Sequence, residues 1–545
     1  MVSSWARRSG IGRTEVVAVL VPVTVMFAIG LWGLDRGGMW RDEAVTFQVA
    51  RRSVPQIWQL LHSVDAVHGL YYLLMHVVLA PHPGEVALRL PSVCGAAATA
   101  GLVAALGVRL GSPRVGLWAG LLYAVTPMAG YFAQEGRSYA LVAAGVAGAT
   151  LLLVRAVRTG VWWAYGGTVA VTCLLHEFAV LALLAHAVTL ALTRVPPRVW
   201  RGWGQAAGAA VLVLLPLAVV SKGQSAQVAW LSAPGLDSVD HLVRAFAGPK
   251  RLVLVPYLAL IALALCFPLA RRGAREGEPE AERQGEREGE RQGELEGERR
   301  GEREGERRGE KEGERRAELA LRSVALPLMV VPPAVLMTVS RFWPLYDERY
   351  VLYALAGAPL LAAAGAERLV QLVPRPAVTS LTGVLAIALV FVWQLPVLRQ
   401  DRTPDRRPDN LAAVSALAGR ELRPGDPVLF LPSIVRRSAL AYPNGFRGVR
   451  DIALREPGPA SGTLYGQETD PGELRRRLDR LDRVWVVAEP FALRPTWYPG
   501  SATERVKLTV VGEQFVPRQE VARKGVTLRL YVRRPPHPVM GWAAD

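Results

Sequence analysis

The chain has 545 residues, 51% of them hydrophobic, and 64 Lys and Arg against 47 Asp and Glu give a formal net charge of +17. Apolar runs of roughly 17–22 residues recur, each long enough to cross a hydrocarbon core of about 30 Å; this excludes a soluble globular protein and predicts a polytopic α-helical membrane protein. The positive charge does not indicate a nucleic-acid partner, because Arg gathers at the ends of apolar runs and in the C-terminal part, without the aromatic-interleaved basic motif of an RNA or DNA reader.

The first run, about 16–34, follows Trp5-Ala6-Arg7-Arg8 and has no evident small-residue cleavage site, so it reads as a retained anchor. Arg7, Arg8 and Arg13 place the N-terminus in the cytoplasm by the positive-inside rule, which puts Asp42–Glu43 outside. Leu70–Ala80 is too short to span and reads as a helix at the outer interface. A run at about 86–108 then goes inward to Arg109 and Arg114, and 116–133 returns to Gln134-Glu135-Gly136-Arg137-Ser138-Tyr139. The next goes in to Arg155 and Arg158, another comes out at His176-Glu177, and a third goes in to Arg194, Arg198 and Arg201. Runs at 207–221, 252–270, 320–340, 350–366 and 377–397 complete about 11 spans and leave the C-terminal part outside. Cys94, Cys173 and Cys266 lie far apart inside apolar runs, with neither a disulfide framework nor a CxxC pair.

Residues about 271–318 form a tetrad repeat of the type Arg-Glu-Gly-Glu. Glycine every fourth residue costs about 1 kcal/mol each against helix, and Glu/Arg pairs recover only tenths, so a charged cytoplasmic linker is expected. After Pro404 and Pro408 the composition changes. A helix over 410–419, a strand over 427–432, a helix near 471–481, a strand over 483–488 and strand pieces near 506–512 and 526–533 predict a small extracytoplasmic α/β domain. The expected organisation is 1–270 as the catalytic membrane region, 271–318 as linker, 319–399 as further spans and 400–545 as the α/β domain.

This parity puts Asp42, Glu43, His68, Gln134, Glu135, Arg137, His176, Glu177, Asp347, Glu348 and Arg349 on one face of the membrane. Asp42–Glu43 reads either as a solvated pair at a helix end or as a general base or metal ligand. Arg137 suits a phosphate because its planar fork matches phosphate oxygens, with Glu135 to orient it; an ordinary polar loop is the plainer alternative. His176 and His68 read as hydrogen-bonded structural residues or as ligands that need acids nearby. Arg349 offers a second cation at the start of a span, or part of a snorkelling belt.

Taken in order, Trp40-Arg41-Asp42-Glu43-Ala44, His68-Gly69-Leu70-Tyr71-Tyr72, Ala87-Leu88-Arg89-Leu90-Pro91-Ser92, Pro127 with Tyr131-Phe132-Ala133-Gln134-Glu135-Gly136-Arg137-Ser138-Tyr139, and Glu348-Arg349-Tyr350 resemble the GT-C membrane glycosyltransferases. The likeness is to the family 39-like branch of protein mannosyltransferases and aminoarabinose transferases, and it covers residues 1–400. The resemblance implies transfer of a sugar, with a hexose such as mannose as the family prior, from a polyprenyl-phosphate carrier to an acceptor outside the plasma membrane. It makes Asp42 the catalytic acid beside Glu43, and it implies Arg137, Arg349, Glu135 and Tyr139 for the donor phosphate. His68 and Tyr71 fall to the acceptor loop, and His176 is the positional candidate for a divalent metal; no nucleotide cofactor is implied. The family's His-Pro-Pro reads His68-Gly69-Leu70 here. A transporter or lipid flippase is the competing class, but it predicts mid-span charges and paired broken helices, whereas the charges lie at run ends. A non-catalytic scaffold would leave the aligned outer acids without a reason.

Overall fold

The fold is that of a computed structural model, which describes residues 12–228, 230–267, 319–371, 376–403, 409–523 and 525–535. The charged repeat expected over 271–318 lies outside the described residues. The chain divides into two compact units: residues 1–32, 92–134 and 138–398 form one, and residues 33–91, 135–137 and 399–545 form the other.

The first unit holds the apolar bundle. Among the described residues seven helices are long and apolar enough to cross a membrane: Arg13–Leu31, Glu85–Leu110, Tyr139–Thr159, Pro197–Gly223, Leu321–Val339, Glu348–Val370 and Ser380–Gln400. An eighth is counted if Leu236–Ala247 and Arg251–Cys266, bent by 85°, form one span. Several of the expected spans are interrupted, which accounts for the difference from 11. The run at 116–133 breaks at Thr126, where Pro127 cannot donate a helical hydrogen bond and holds its predecessor extended. His176, at the expected turn between two spans, sits extended (φ −165°, ψ 120°) between Trp163–Leu175 and a short 3-10 turn at Glu177–Val180, and the helices on either side are too short to span alone. Residues Glu348–Ala356 form a 3-10 segment before the α-helix Gly357–Val370.

Small residues set the spacing in this unit, as expected where lipid offers no hydrophobic drive between helices. A Cβ on Gly107 would meet the Gly116 backbone at 2.7 Å. An ion pair ties Pro113–Val125 to Gly357–Val370: Arg114 donates through Nε and Nη2 to both Glu367 oxygens, at 2.6 and 2.5 Å. The Gln134 amide donates to the carbonyls of Gly30 and Trp32 at 2.8 Å each, covering acceptors at the open end of Arg13–Leu31.

The second unit joins the first polar loop to the C-terminal α/β region. Its helices are α1 (Arg41–Ala50), α2 (Val54–Leu61), α3 (Gly69–Leu79), α4 (Leu411–Glu421), α5 (Arg437–Ala441), α6 (Pro471–Asp479) and α7 (Ala502–Gln514). Its strands are β1 (Pro427–Leu431), β2 (Arg450–Asp451), β3 (Leu454–Glu456), β4 (Gln467–Glu468), β5 (Arg483–Ala488), β6 (Phe515–Arg523) and β7 (Val526–Arg533). The main sheet runs β2-β1-β5-β7-β6, parallel across β2, β1 and β5 and antiparallel across β5, β7 and β6. The two-residue period of a strand divides its apolar side chains between faces. Leu429, Leu431, Val484 and Val486 join one core with Leu474, Leu478, Val510 and Val511 of α6 and α7; Val428, Phe430, Trp485 and Val487 join another with Val414 and Leu417 of α4. The sheet is therefore covered on both sides, as the uninterrupted apolar strands require.

One element corrects the reading of the sequence. Residues 506–512, expected as strand, lie in α7. Glu504, Lys507, Val510 and Val511 are its buried positions, a helical spacing, and the adjacent valines that suggest a strand occupy one helix face.

Candidate active site

Asp42 and Glu43 fall in the first turn of α1, where the helix dipole favours negative charge. Neighbouring helical positions lie about 100° apart around the axis, so the two carboxylates meet different surroundings. Glu43 is fully buried. Arg89, also fully buried, donates to it through Nε at 2.8 Å and Nη2 at 2.9 Å. The Gly136 N–H adds a bond at 2.9 Å to the same carboxylate, and the Trp40 N–H a longer one at 3.4 Å. Gly136 can approach because it lacks a side chain: a Cβ there would meet Leu88 Cγ at 2.6 Å. The remaining Arg89 donors reach the carbonyl of Leu34 at 2.9 Å and those of Arg36, Gly37 and Gly38 at 3.3 Å. Glu43 and Arg89 thus hold the loop 33–38 on α1. Asp42 is half-buried, and its charge is felt by His68 and Tyr465.

A second set of groups stands around His68. Asp65, whose backbone is left-handed (φ 61°), accepts from His68 Nδ1 at 2.7 Å and from the Tyr72 hydroxyl. Short polar side chains tolerate that conformation better than others. Arg137 Nη2 donates to His68 Nε2 at 2.9 Å, and Nη1 reaches Thr46 Oγ1 at 3.3 Å. Because Nε2 accepts from a guanidinium, the hydrogen-bond pattern assigns the proton to Nδ1 and a neutral ring to His68. The electrostatics agree. Burial, reinforced by the Arg137 charge, pushes the His68 pKa down against the pull of Asp65 and Asp42. Burial alone would raise Asp65, but His68 and then Arg137 hold its carboxyl well below the usual carboxylate range. Glu135 is buried and Tyr71 fully so. The Arg137 N–H bonds the Glu135 carbonyl at 2.8 Å, which makes 135–137 a tight turn.

The other three expected site residues gather in the first unit. Tyr139, His176 and Tyr350 pack ring to ring, with His176–Tyr350 centroids 4.9 Å apart, His176–Tyr139 5.6 Å and His176–Phe178 5.6 Å. The Arg349 guanidinium lies 5.5 Å from the Tyr350 ring centre, 5.8 Å from Tyr139 and 5.9 Å from Trp230. Asp347 holds it at 3.3 Å, and Glu348 pairs with His241 at 2.8 Å. An aromatic enclosure does not supply the several oxygen or nitrogen donors that a divalent ion needs. Among the described residues no group of three or more His, Cys, Asp and Glu could hold a metal, so the side chains around His176 do not fit the ion that the resemblance implies.

The expected site residues therefore form two clusters, Asp42–Glu43–His68–Tyr71–Glu135–Arg137 in one unit and Tyr139–His176–Arg349 in the other. Three partners were not singled out from the sequence. Arg89 lay in a motif without a role, and Tyr72 beside Tyr71 had none. Asp65, an acid three residues before His68, is the signal the sequence offers for this cluster.

No protein-family profile matches the chain, and no curated protein matches it in sequence. Solved structures do. The crystal structure of ArnT from Cupriavidus metallidurans bound to undecaprenyl phosphate aligns with a TM-score of 0.54 at 13% identity, over 94% of this chain and 97% of that one. The same protein in its apo state aligns with the same score and coverage at 12% identity. The chain has the GT-C fold.

Proposed function

We propose that this protein is a membrane glycosyltransferase that moves a sugar from a polyprenyl-phosphate donor to an acceptor hydroxyl on the outer face of the plasma membrane. The observation that carries the reading is the division of the acid pair: Glu43 is locked by Arg89, while Asp42 stands half-buried beside it, in a chain that shares its fold with ArnT along almost its whole length. That relative is described with undecaprenyl phosphate bound, which supports a lipid-linked donor here.

The chemistry needs a base and a stabilised leaving group. The acceptor oxygen attacks the anomeric carbon while its proton passes to the Asp42 carboxylate. The new C–O bond forms as the bond from that carbon to the phosphate oxygen breaks, and polyprenyl phosphate leaves with the electron pair. Direct displacement inverts the anomeric centre. Arg137, oriented by His68 and Thr46, is assigned to the growing phosphate charge. Glu135 belongs to the turn that carries Arg137, and His68 and Tyr71 belong to the acceptor-side loop. No step passes through a metal. Mannose is the sugar to try first.

The test is purified protein in lipid nanodiscs with labelled undecaprenyl-phosphate mannose. Sugar transfer by the natural chain and a loss of about 100-fold or more in Asp42→Asn are expected, the range over which positioned bases act. Full transfer by a folded Asp42→Asn protein would sink the base assignment. Movement of intact lipid without transfer, measured in vesicles, would favour the flippase.

A further inference from the structure

The start of the helix that carries Asp42 is held by the C-terminal α/β region, within one unit. Trp40 stands at the N-cap of α1, and an indole has no acceptor to offer the open N–H groups of the first turn. A carboxylate 368 positions away takes that place. Asp409 Oδ1 accepts from the Arg41 N–H at 2.8 Å, and Oδ2 accepts from Arg41 Nε at 3.2 Å. Asp409 is itself buried, and it lies 3.5 Å from the buried Arg437 at the start of α5, which packs on α1. Glu489, just past β5, pairs with the same guanidinium at 2.6 Å, so the cap is tied to the sheet.

Two further contacts fix the approach to that helix. The Tyr442 hydroxyl accepts from the Met39 N–H at 2.7 Å while donating to Glu85 at 2.6 Å. Gly38 passes so close to the start of α4 that a Cβ would meet Ala412 Cβ at 2.7 Å. Residues 38, 39 and 41 thus all rest on the stretch from 409 to 442. On the other side of Asp42, the buried Arg89 grips Glu43. Asp42 is therefore flanked by two residues that buried side chains hold in place. A base acts only within hydrogen-bond reach of the proton it takes, and a misplacement of about 1 Å can cost about 100-fold in rate.

We propose that Asp409 is a positioning residue for Asp42: it caps the helix that carries the base, so that the α/β region sets the geometry of the reaction. This assignment rests on the glycosyltransferase reading above. The test compares Asp409→Ala, Asp409→Asn and Asp426→Ala in nanodiscs. Asp426 is also buried, but it bonds Arg483 and the Arg423 N–H, both at 2.8 Å, so its loss loosens the same region away from 38–43. Rates are taken with labelled undecaprenyl-phosphate mannose and methyl α-mannoside as acceptor, and amide exchange is followed by mass spectrometry in peptides covering 38–44. Asp409→Ala is expected to speed exchange there by about tenfold and to lower kcat by about 10-fold to 100-fold, with both KM values within about twofold. Asp409→Asn keeps an oxygen for the Arg41 N–H but loses the acceptor for Nε, and should fall between Asp409→Ala and the natural chain in both readouts. Asp426→Ala should keep kcat within about twofold. An equal fall in kcat in Asp426→Ala, or faster exchange in the Asp409 variants with kcat unchanged, would overturn the positioning role and leave the transferase reading intact. Unchanged exchange over 38–44 would overturn the cap itself. No transfer by the natural chain would overturn the transferase reading and the catalytic role with it, while faster exchange in the Asp409 variants would keep the cap.

Discussion

Asp42 and Glu43 share a helix turn and a charge, yet they differ in burial: Glu43 lies fully buried against Arg89, and Asp42 is half-buried. Removing one partner of a buried, hydrogen-bonded ion pair leaves an uncompensated charge, at a cost of about 3–5 kcal/mol, whereas replacing both with apolar groups restores part of the loss. Glu43→Ala should therefore lower stability by about that amount, and adding Arg89→Met should recover some of it, as seen in melting of the nanodisc-embedded proteins. Asp42→Asn, at a half-buried position, should melt within about 1 kcal/mol of the natural chain. Equal melting of Glu43→Ala and Asp42→Asn would contradict the division of roles. Residue type in the sequence could not make this distinction, because Arg89 lies 46 positions away from Glu43 and reaches it only through the fold.

The turn that enters α3 carries its own signature. His68 is held neutral and Asp65 ionised, so both groups take up protons more readily in the unfolded chain than in the folded one. Stability then falls with acidification. The His68 contribution is fully present above its unfolded pKa of about 6.5 and is lost as pH drops below it; the Asp65 contribution is lost lower, as pH falls below about 4. Melting temperature followed from pH 8 to pH 5 should decline below about 6.5, and His68→Gln should flatten that decline. An unchanged slope in His68→Gln would show that another group titrates. At this scale the sequence was partly legible. The apolar runs located the long helices, and β1 and β5 stood out as short valine- and leucine-rich strands between turn residues. The turn at His176-Glu177 was legible as a polar pair between two apolar runs, whereas nothing in the run at 350–366 signalled the 3-10 path of 348–356. The valines of α7 matched both periods, and burial decided between them.

For the whole chain, orientation follows from where the arginines lie relative to the apolar runs. Interruptions shorten several helices, but the positive-inside rule counts basic residues near membrane ends, and the proposed orientation, with Arg194, Arg198 and Arg201 cytoplasmic and the α/β region outside, rests on that count. The proposed chemistry requires the same sense, since Asp42 and the α/β sheet belong to one compact unit. The three native cysteines can be replaced by alanine to give a silent background. In it, Gly500→Cys places a thiol on an exposed loop, where a Cβ meets no atom within 4 Å. Arg198→Cys places one at the basic end of Pro197–Gly223. A membrane-impermeant maleimide applied to intact cells should label Gly500→Cys and spare Arg198→Cys until the membrane is opened. The reverse pattern would put Asp42 on the cytoplasmic face and remove the outer-leaflet site from the proposed reaction.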